Sequence, residues 1–238
     1  VYTEHARRHL LAEGLQHRRI YLTGSPMWEV LQQNMDKILN SNVLERLNAQ
    51  LKEEVTQSNS EFSIEEHCDP KIPQSNTESN TVQHCDPKKY FMVSVHREEN
   101  VDNPENLKKI LQVLNSLAET YQLPVIVSTH PRTRKRIEAL AHQSQETNHQ
   151  SLVTNHQLHF LKPFGFTDYI HLQMNALCTI SDSGTISEES SMLQFPAISL
   201  RQSMERPEAQ DAGSIILTGF EPDIVLNAIA TVIDEQRT

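Results

Sequence analysis

The stretch Ser-Asp-Ser-Gly-Thr-Ile-Ser-Glu-Glu-Ser at 181–190 carries residue types suited to holding a phosphate. An apolar run ends there in a Ser-Gly turn, and a helical pattern follows. At such a junction the free backbone N–H groups and the positive end of the helix dipole face whatever lies above the turn. Gly184 removes the side chain that would block a phosphate, and Ser183 and Thr185 flank it. Ser183 or Thr185 can equally serve as the helix N-cap, with Glu188 or Glu189 as its capping-box partner. The two roles can coexist. A second acid in the first turns is unusual for a site that binds only anions. It points to a neutral, hydroxyl-bearing part of the ligand beside the phosphate.

Other constellations fall at comparable places. His-Arg-Glu-Glu-Asn occupies 96–100, where His96 can move a proton and Arg97 can hold an anion. The plainer alternative is that His96 only caps or bonds a loop. Thr-His-Pro-Arg at 129–132 puts His130 and Arg132 on one rim, whereas Arg134, Lys135 and Arg136 read as a solvated helix face. Lys-Pro-Phe-Gly-Phe-Thr-Asp-Tyr at 162–169 is dense in aromatics for a chain with 5% of them. Such rings can stack on a base, but rings more often simply pack. Glu-Arg-Pro-Glu at 205–208 offers Arg206 as a bidentate clamp for a diphosphate, or as a member of a surface ion pair.

These segments need elements to place them. From residue 90 onward strand and helix patterns alternate. Strands are predicted at 90–95, 124–128, 158–161, 176–181, 196–200 and 214–217. Helices are predicted at 104–120, 132–143, 167–175, 185–194, 206–212 and 221–235. The alternation implies an α/β domain with a parallel sheet covered by helices on both faces. In such sheets ligands bind beyond the C-terminal strand ends, and every segment named above lies in one of those loops. Upstream, helices are expected at 4–14, 26–40 and 42–54, with a short strand at 20–22.

Residues 55–88 break this pattern. They are rich in Ser, Asn, Gln, Thr and Glu, and they read as a polar, mobile insertion. Inside it His-Cys-Asp-Pro-Lys occurs twice, at 67–71 and 84–88. A Cys68–Cys85 separation in a polar loop is not a usual zinc spacing, so the repeat reads as a duplicated loop segment without metal.

The net charge of −10 argues against a general nucleic-acid binder. No apolar stretch approaches the ~18 residues of a membrane span, and no signal peptide is visible. An odd count of three cysteines then fits a reducing cytoplasm. The chain opens on Val1-Tyr2-Thr3 without a Met, as a fragment or processed product would.

Taken together and in order, His-Arg-Glu-Glu-Asn, Asp-Ser-Gly-Thr-Ile-Ser-Glu-Glu and Glu-Arg-Pro-Glu resemble the non-hydrolysing UDP-N-acetylglucosamine 2-epimerase family. The resemblance covers about 4–50 and 90–237. The His-Pro-Arg-Thr-Arg-Lys and Lys-Pro-Phe-Gly-Phe stretches, with Thr185 where the family usually has Gly, resemble the branch that makes UDP-N-acetyl-L-fucosamine. The resemblance implies two Rossmann-like domains facing across a cleft, similar to GT-B glycosyltransferases, with this chain as the C-terminal half. On that reading 1–54 is a remnant of the N-terminal domain with connecting helices, and 89–238 is the UDP-binding domain. The implied reaction inverts C2 of a UDP-N-acetyl sugar by elimination and re-addition of UDP, without metal or nicotinamide, in surface polysaccharide precursor synthesis. By position, His96 matches the active-site His, and Ser183, Gly184 and Thr185 match the diphosphate turn. Glu189 matches the ribose carboxylate, Arg206 the phosphate-side Arg, and Tyr169 the aromatic at the uracil, ahead of Phe164 or Phe166. Arg97 and His130 are further substrate contacts. The isolated chain is expected to bind UDP weakly without turnover, and the full-length enzyme to be a homodimer. The competing readings are the UDP-sugar-binding half of a GT-B glycosyltransferase and a non-catalytic UDP-sugar-binding module.

Overall fold

The computed structural model describes residues 1–58, 90–146, 155, 157–202 and 215–235. The Cys68 and Cys85 repeat, Arg206 and the expected 206–212 helix lie outside them. Six parallel strands form the sheet: β1 (Phe91–Ser94), β2 (Val125–Ser128), β3 (Leu158–Leu161), β4 (Cys178–Ser181), β5 (Ala197–Ser199) and β6 (Ile216–Leu217). Their order is β3-β2-β1-β4-β5-β6. That is the Rossmann arrangement, in which the chain works outward in one direction from β1 and in the other from β4.

Alternate strand residues feed two separate cores. Phe91, Val93, Val125, Val127, Cys178, Ile180 and Ile198 pack in one cluster with Ile110, Leu114 and Leu117 of α5 (Pro104–Tyr121) and Val225 and Ile229 of α9 (Pro222–Glu235). Met92 and Ile126 point the other way. They meet Leu172 of α7 (Phe166–Asn175) and Val43 and Leu47 of α3 (Val43–Ser58). The period of two is the pleat itself, and it needs an apolar layer on each side. Cys178 opens the central strand β4 with a fully buried thiol, whose pKa burial pushes well up.

Helix limits follow local chemistry. Asn103 caps α5 by accepting from the N–H groups of Glu105 (3.0 Å) and Asn106 (3.4 Å), and Pro104 opens the helix. The expected strand at 20–22 is not formed. Tyr21 and Leu22 are exposed, and the extended chain there pairs only with Val1, through Thr23 N–H to the Val1 carbonyl at 3.0 Å. A single terminal residue offers no ladder to extend. α3 continues to Ser58, so the helix takes in the first residues of the 55–88 segment read as insertion, whose remainder lies outside the described residues.

The N-terminal helices share a core with the sheet domain. Leu31 and Ile38 of α2 (Met27–Leu39) bury against Ile170 of α7. Ser41 donates to Asp168 at 2.6 Å, and Arg46 pairs with the same carboxylate. The Ser41 hydroxyl, followed by Arg46, holds the Asp168 pKa below the ordinary carboxylate value. A depressed folded pKa stabilises the fold above the unfolded value near ~3.9 and ceases to do so as pH falls through the folded one. Asp168→Asn should therefore lower stability by about 1 kcal/mol at neutral pH. Thermal melts of both proteins should converge below about pH 3. A gap that stays constant with pH would refute the assignment.

Candidate functional site

β1 and β4 are neighbours, and the loops leaving them diverge to opposite sides, which opens a crevice between their C-terminal ends. The rim there is built of small polar residues. Ser128, Ser94, Ser181 and Ser199 stand in one register row across β2, β1, β4 and β5. His96 and Asp182 follow β1 and β4 directly.

Asp182 is fully buried and binds the loop after β1. Its carboxylate accepts from the backbone N–H of His96 (3.2 Å) and of Arg97 (2.9 Å) and from Asn100 Nδ2 (2.9 Å). His96 Nδ1 lies 3.4 Å from Oδ1, while the ring as a whole is half exposed. Asn100 belongs to a short helix, α4 (Glu98–Val101), which strand–helix patterning does not reveal. A carboxylate buried this deeply needs such donors to offset the cost of losing water. Neither Asp182 nor Asn100 is singled out by the sequence reading. The available signal is an acid at the end of an apolar central strand, where no water can reach it.

The turn after β4 runs directly into α8 (Ile186–Leu193). Ser181 Oγ accepts from Ser183 N–H at 3.1 Å, and Ser183 Oγ accepts from Thr185 N–H at 3.3 Å. Ser183, Gly184 and Thr185 are partly exposed. Thr185 occupies the N-cap position but makes no side-chain cap bond. No capping box forms either, because both acids have partners elsewhere. Glu188 takes the hydroxyl of Ser25, ahead of α2, and the buried Glu189 accepts from Gln173 Nε2 at 3.0 Å. Glu189 thus stands in the first turn of α8 with one carboxylate oxygen fixed by α7.

Tyr169 reaches the same edge from α7. Burial pushes the pKa of its hydroxyl up to about 12, against the opposing influence of the Ser94 and Ser181 side chains. Its ring packs with Phe164 on the cluster around Met92 and Ile126, which is the packing role weighed above for these aromatics. Phe166 is exposed.

The remaining candidates spread outward. Arg97 contacts Glu99 at 3.2 Å. His130, exposed after β2, accepts from Arg132 N–H at 3.3 Å through Nδ1 and so starts α6 (Pro131–Glu146). Arg132 is engaged by the segment after β1. It pairs with Glu98 at 2.6 Å and with Asp102, and so ties α6 to α4. The crevice therefore gathers His96, Arg97, Tyr169, Ser183, Gly184, Thr185 and Glu189 around β1 and β4, with His130 one strand away.

Among the described residues no group of His, Cys, Asp and Glu could hold a metal ion, and no helix is long and apolar enough to cross a membrane.

Comparison with known proteins gives this arrangement a lineage. The chain is 34% identical over 151 residues to a UDP-N-acetylglucosamine 2-epimerase of Methanococcus maripaludis, covering 63% of this chain and 39% of that protein. The structure of UDP-N-acetylglucosamine 2-epimerase from Rickettsia bellii matches with 37% identity and a TM-score of 0.71, over 98% of this chain and 50% of that one. The Methanocaldococcus jannaschii UDP-GlcNAc 2-epimerase, in complex with UDP-GlcNAc and UDP, matches with 26% identity and a TM-score of 0.73, over 99% and 54%. The chain thus spans about half the length of these relatives. The family model for UDP-N-acetylglucosamine 2-epimerase matches residues 1–238. With its Rossmann-like sheet and the crevice between β1 and β4, the chain belongs to the UDP-N-acetylglucosamine 2-epimerase family.

Proposed function

We propose that this chain is the UDP-binding half of an enzyme that inverts C2 of a UDP-N-acetyl sugar. The observation that carries the reading is the buried Asp182, which brings His96 and the Ser183–Gly184–Thr185 turn to one crevice. The turn and the N-terminus of α8 hold the diphosphate through backbone N–H groups. Glu189 takes the ribose hydroxyls with the oxygen that Gln173 leaves available. Tyr169 lies at the uracil, while Arg97, His130 and Arg206 add diphosphate contacts. In the reaction a base takes the C2 proton as the C1–O bond breaks, UDP departs with that bond's electron pair, and an unsaturated sugar remains. UDP then adds back as a proton reaches C2 from the opposite face. His96 serves the leaving diphosphate by donating a proton or hydrogen bond. No metal or nicotinamide takes part.

The activity is proposed for an enzyme of the relatives' full length. It would be a cytoplasmic homodimer supplying precursors of surface polysaccharide. The 238-residue chain alone binds UDP weakly and does not turn over. Incubating the full-length enzyme with candidate UDP-N-acetyl sugars in D2O should place deuterium at C2 of one of them. Absence of C2 exchange with every UDP-sugar tried would sink the reading. Turnover by the isolated chain would sink its last part.

A further inference from the structure

We propose that Asp182 is the positioning residue for His96, holding the neutral ring with its proton on Nδ1 and leaving Nε2 as the nitrogen available to a ligand. The geometry is specific. Asp182 is completely buried, and its oxygens are aimed at the loop after β1 by the N–H groups of His96 and Arg97 and by Asn100 Nδ2. Those bonds fix the carboxylate before the ring is considered. His96 Nδ1 then lies 3.4 Å from Oδ1. A carboxylate only accepts, so a neutral imidazole at this contact distance is favoured with its N–H on that side. The other nitrogen then carries the lone pair, takes up a proton from solvent and passes it to the leaving diphosphate, which a ring facing an amide NH2 through Nδ1 does less readily. The ring stays half exposed, so Nε2 is not consumed by packing.

This gives Asp182 a task distinct from stapling the loop. A staple needs only an acceptor for backbone N–H groups. Fixing a tautomer needs an acceptor at the ring as well, which an amide supplies only in one orientation. In Asp182→Asn the side-chain oxygen can still serve the His96 and Arg97 N–H groups, while its NH2 group donates towards Nδ1. The ring should then switch its proton to Nε2. The catalytic consequence rests on the epimerase reading above; the tautomer itself does not.

Ring nitrogen NMR on the 238-residue chain, with labelled histidine, tests the tautomer. His96 is identified among the 12 histidines by the signal lost in His96→Gln. Spectra are recorded well above the ordinary histidine pKa of about 6.5, so that the neutral ring is observed. The Nδ1–H form should predominate in the wild-type chain and the Nε2–H form in Asp182→Asn. Nε2–H in the wild-type chain would overturn the proposal even if the variant failed to fold, as would the same tautomer in both. In the full-length enzyme, Asp182→Asn should lower kcat by about a hundredfold and leave KM within about threefold. Adding His96→Gln should cost little more, because the two residues act as one unit. Unchanged kcat in Asp182→Asn of an active enzyme would overturn the catalytic part. If the wild-type enzyme epimerises no UDP-sugar, the functional reading fails, and the tautomer measurement still decides the role of Asp182.

Discussion

His96→Gln in the full-length enzyme should lower kcat by about a hundredfold or more while changing UDP affinity by less than about threefold. The split follows from where the ring sits. It is half exposed at the mouth of the crevice, and it contributes to none of the buried apolar clusters. Its loss leaves no cavity, so folding should be unaffected. The diphosphate contacts proposed above come instead from the turn after β4, whose backbone does not change. Gln can still hydrogen-bond a leaving oxygen but cannot deliver a proton to it. A glycosyltransferase-like site should tolerate the change much better, so steady-state kinetics with the accepted UDP-sugar separates the two readings. A rise in KM with unchanged kcat would reduce His96 to a binding residue.

Glu189→Ala should weaken UDP binding on the order of a hundredfold, measured by calorimetry. A buried carboxylate that accepts from ribose hydroxyls makes charge-assisted bonds in a site with little competing water, so its removal costs more than that of an exposed group. The same substitution leaves Gln173 Nε2 without its acceptor, so a lower melting temperature is expected as well. UMP discriminates the cause. If Glu189 holds ribose, UMP and UDP should lose the same factor. If it acts on the diphosphate, UDP should lose more. Equal affinity of wild type and variant for both nucleotides would remove Glu189 from the site.

Much of this was legible in the sequence because the signals were periodic. The apolar spacing of Leu107, Ile110, Leu114 and Leu117 locates α5, and Pro104 marks its start. The six strands lie where apolar runs meet turn residues, with limits that move by a residue or two as the ladder ends. Ser183, Gly184 and Thr185 were legible because a Ser-Gly turn before a helix has a backbone consequence of its own. Asp182 and Asn100 were not, although both lie inside quoted motifs. Their partnership spans 82 positions in the chain and depends on β1 and β4 becoming neighbours, which no local pattern reports. The destinations of Glu188 and Glu189 were hidden for the same reason. A capping box is a local expectation, and Ser25, ahead of α2, and Gln173 of α7 overrode it.

The thiol of Cys178 gives the molecule an internal clock. It opens the strand that runs into the Ser183–Gly184–Thr185 turn, and no solvent reaches it in the native state. A reagent for thiols therefore meets it only when the centre of the sheet comes apart. On the proposed function, a nucleotide seated across the loops of β1 and β4 would make that event rarer as its occupancy rises. How slowly this one sulfur is modified thus records how tightly the crevice is closed.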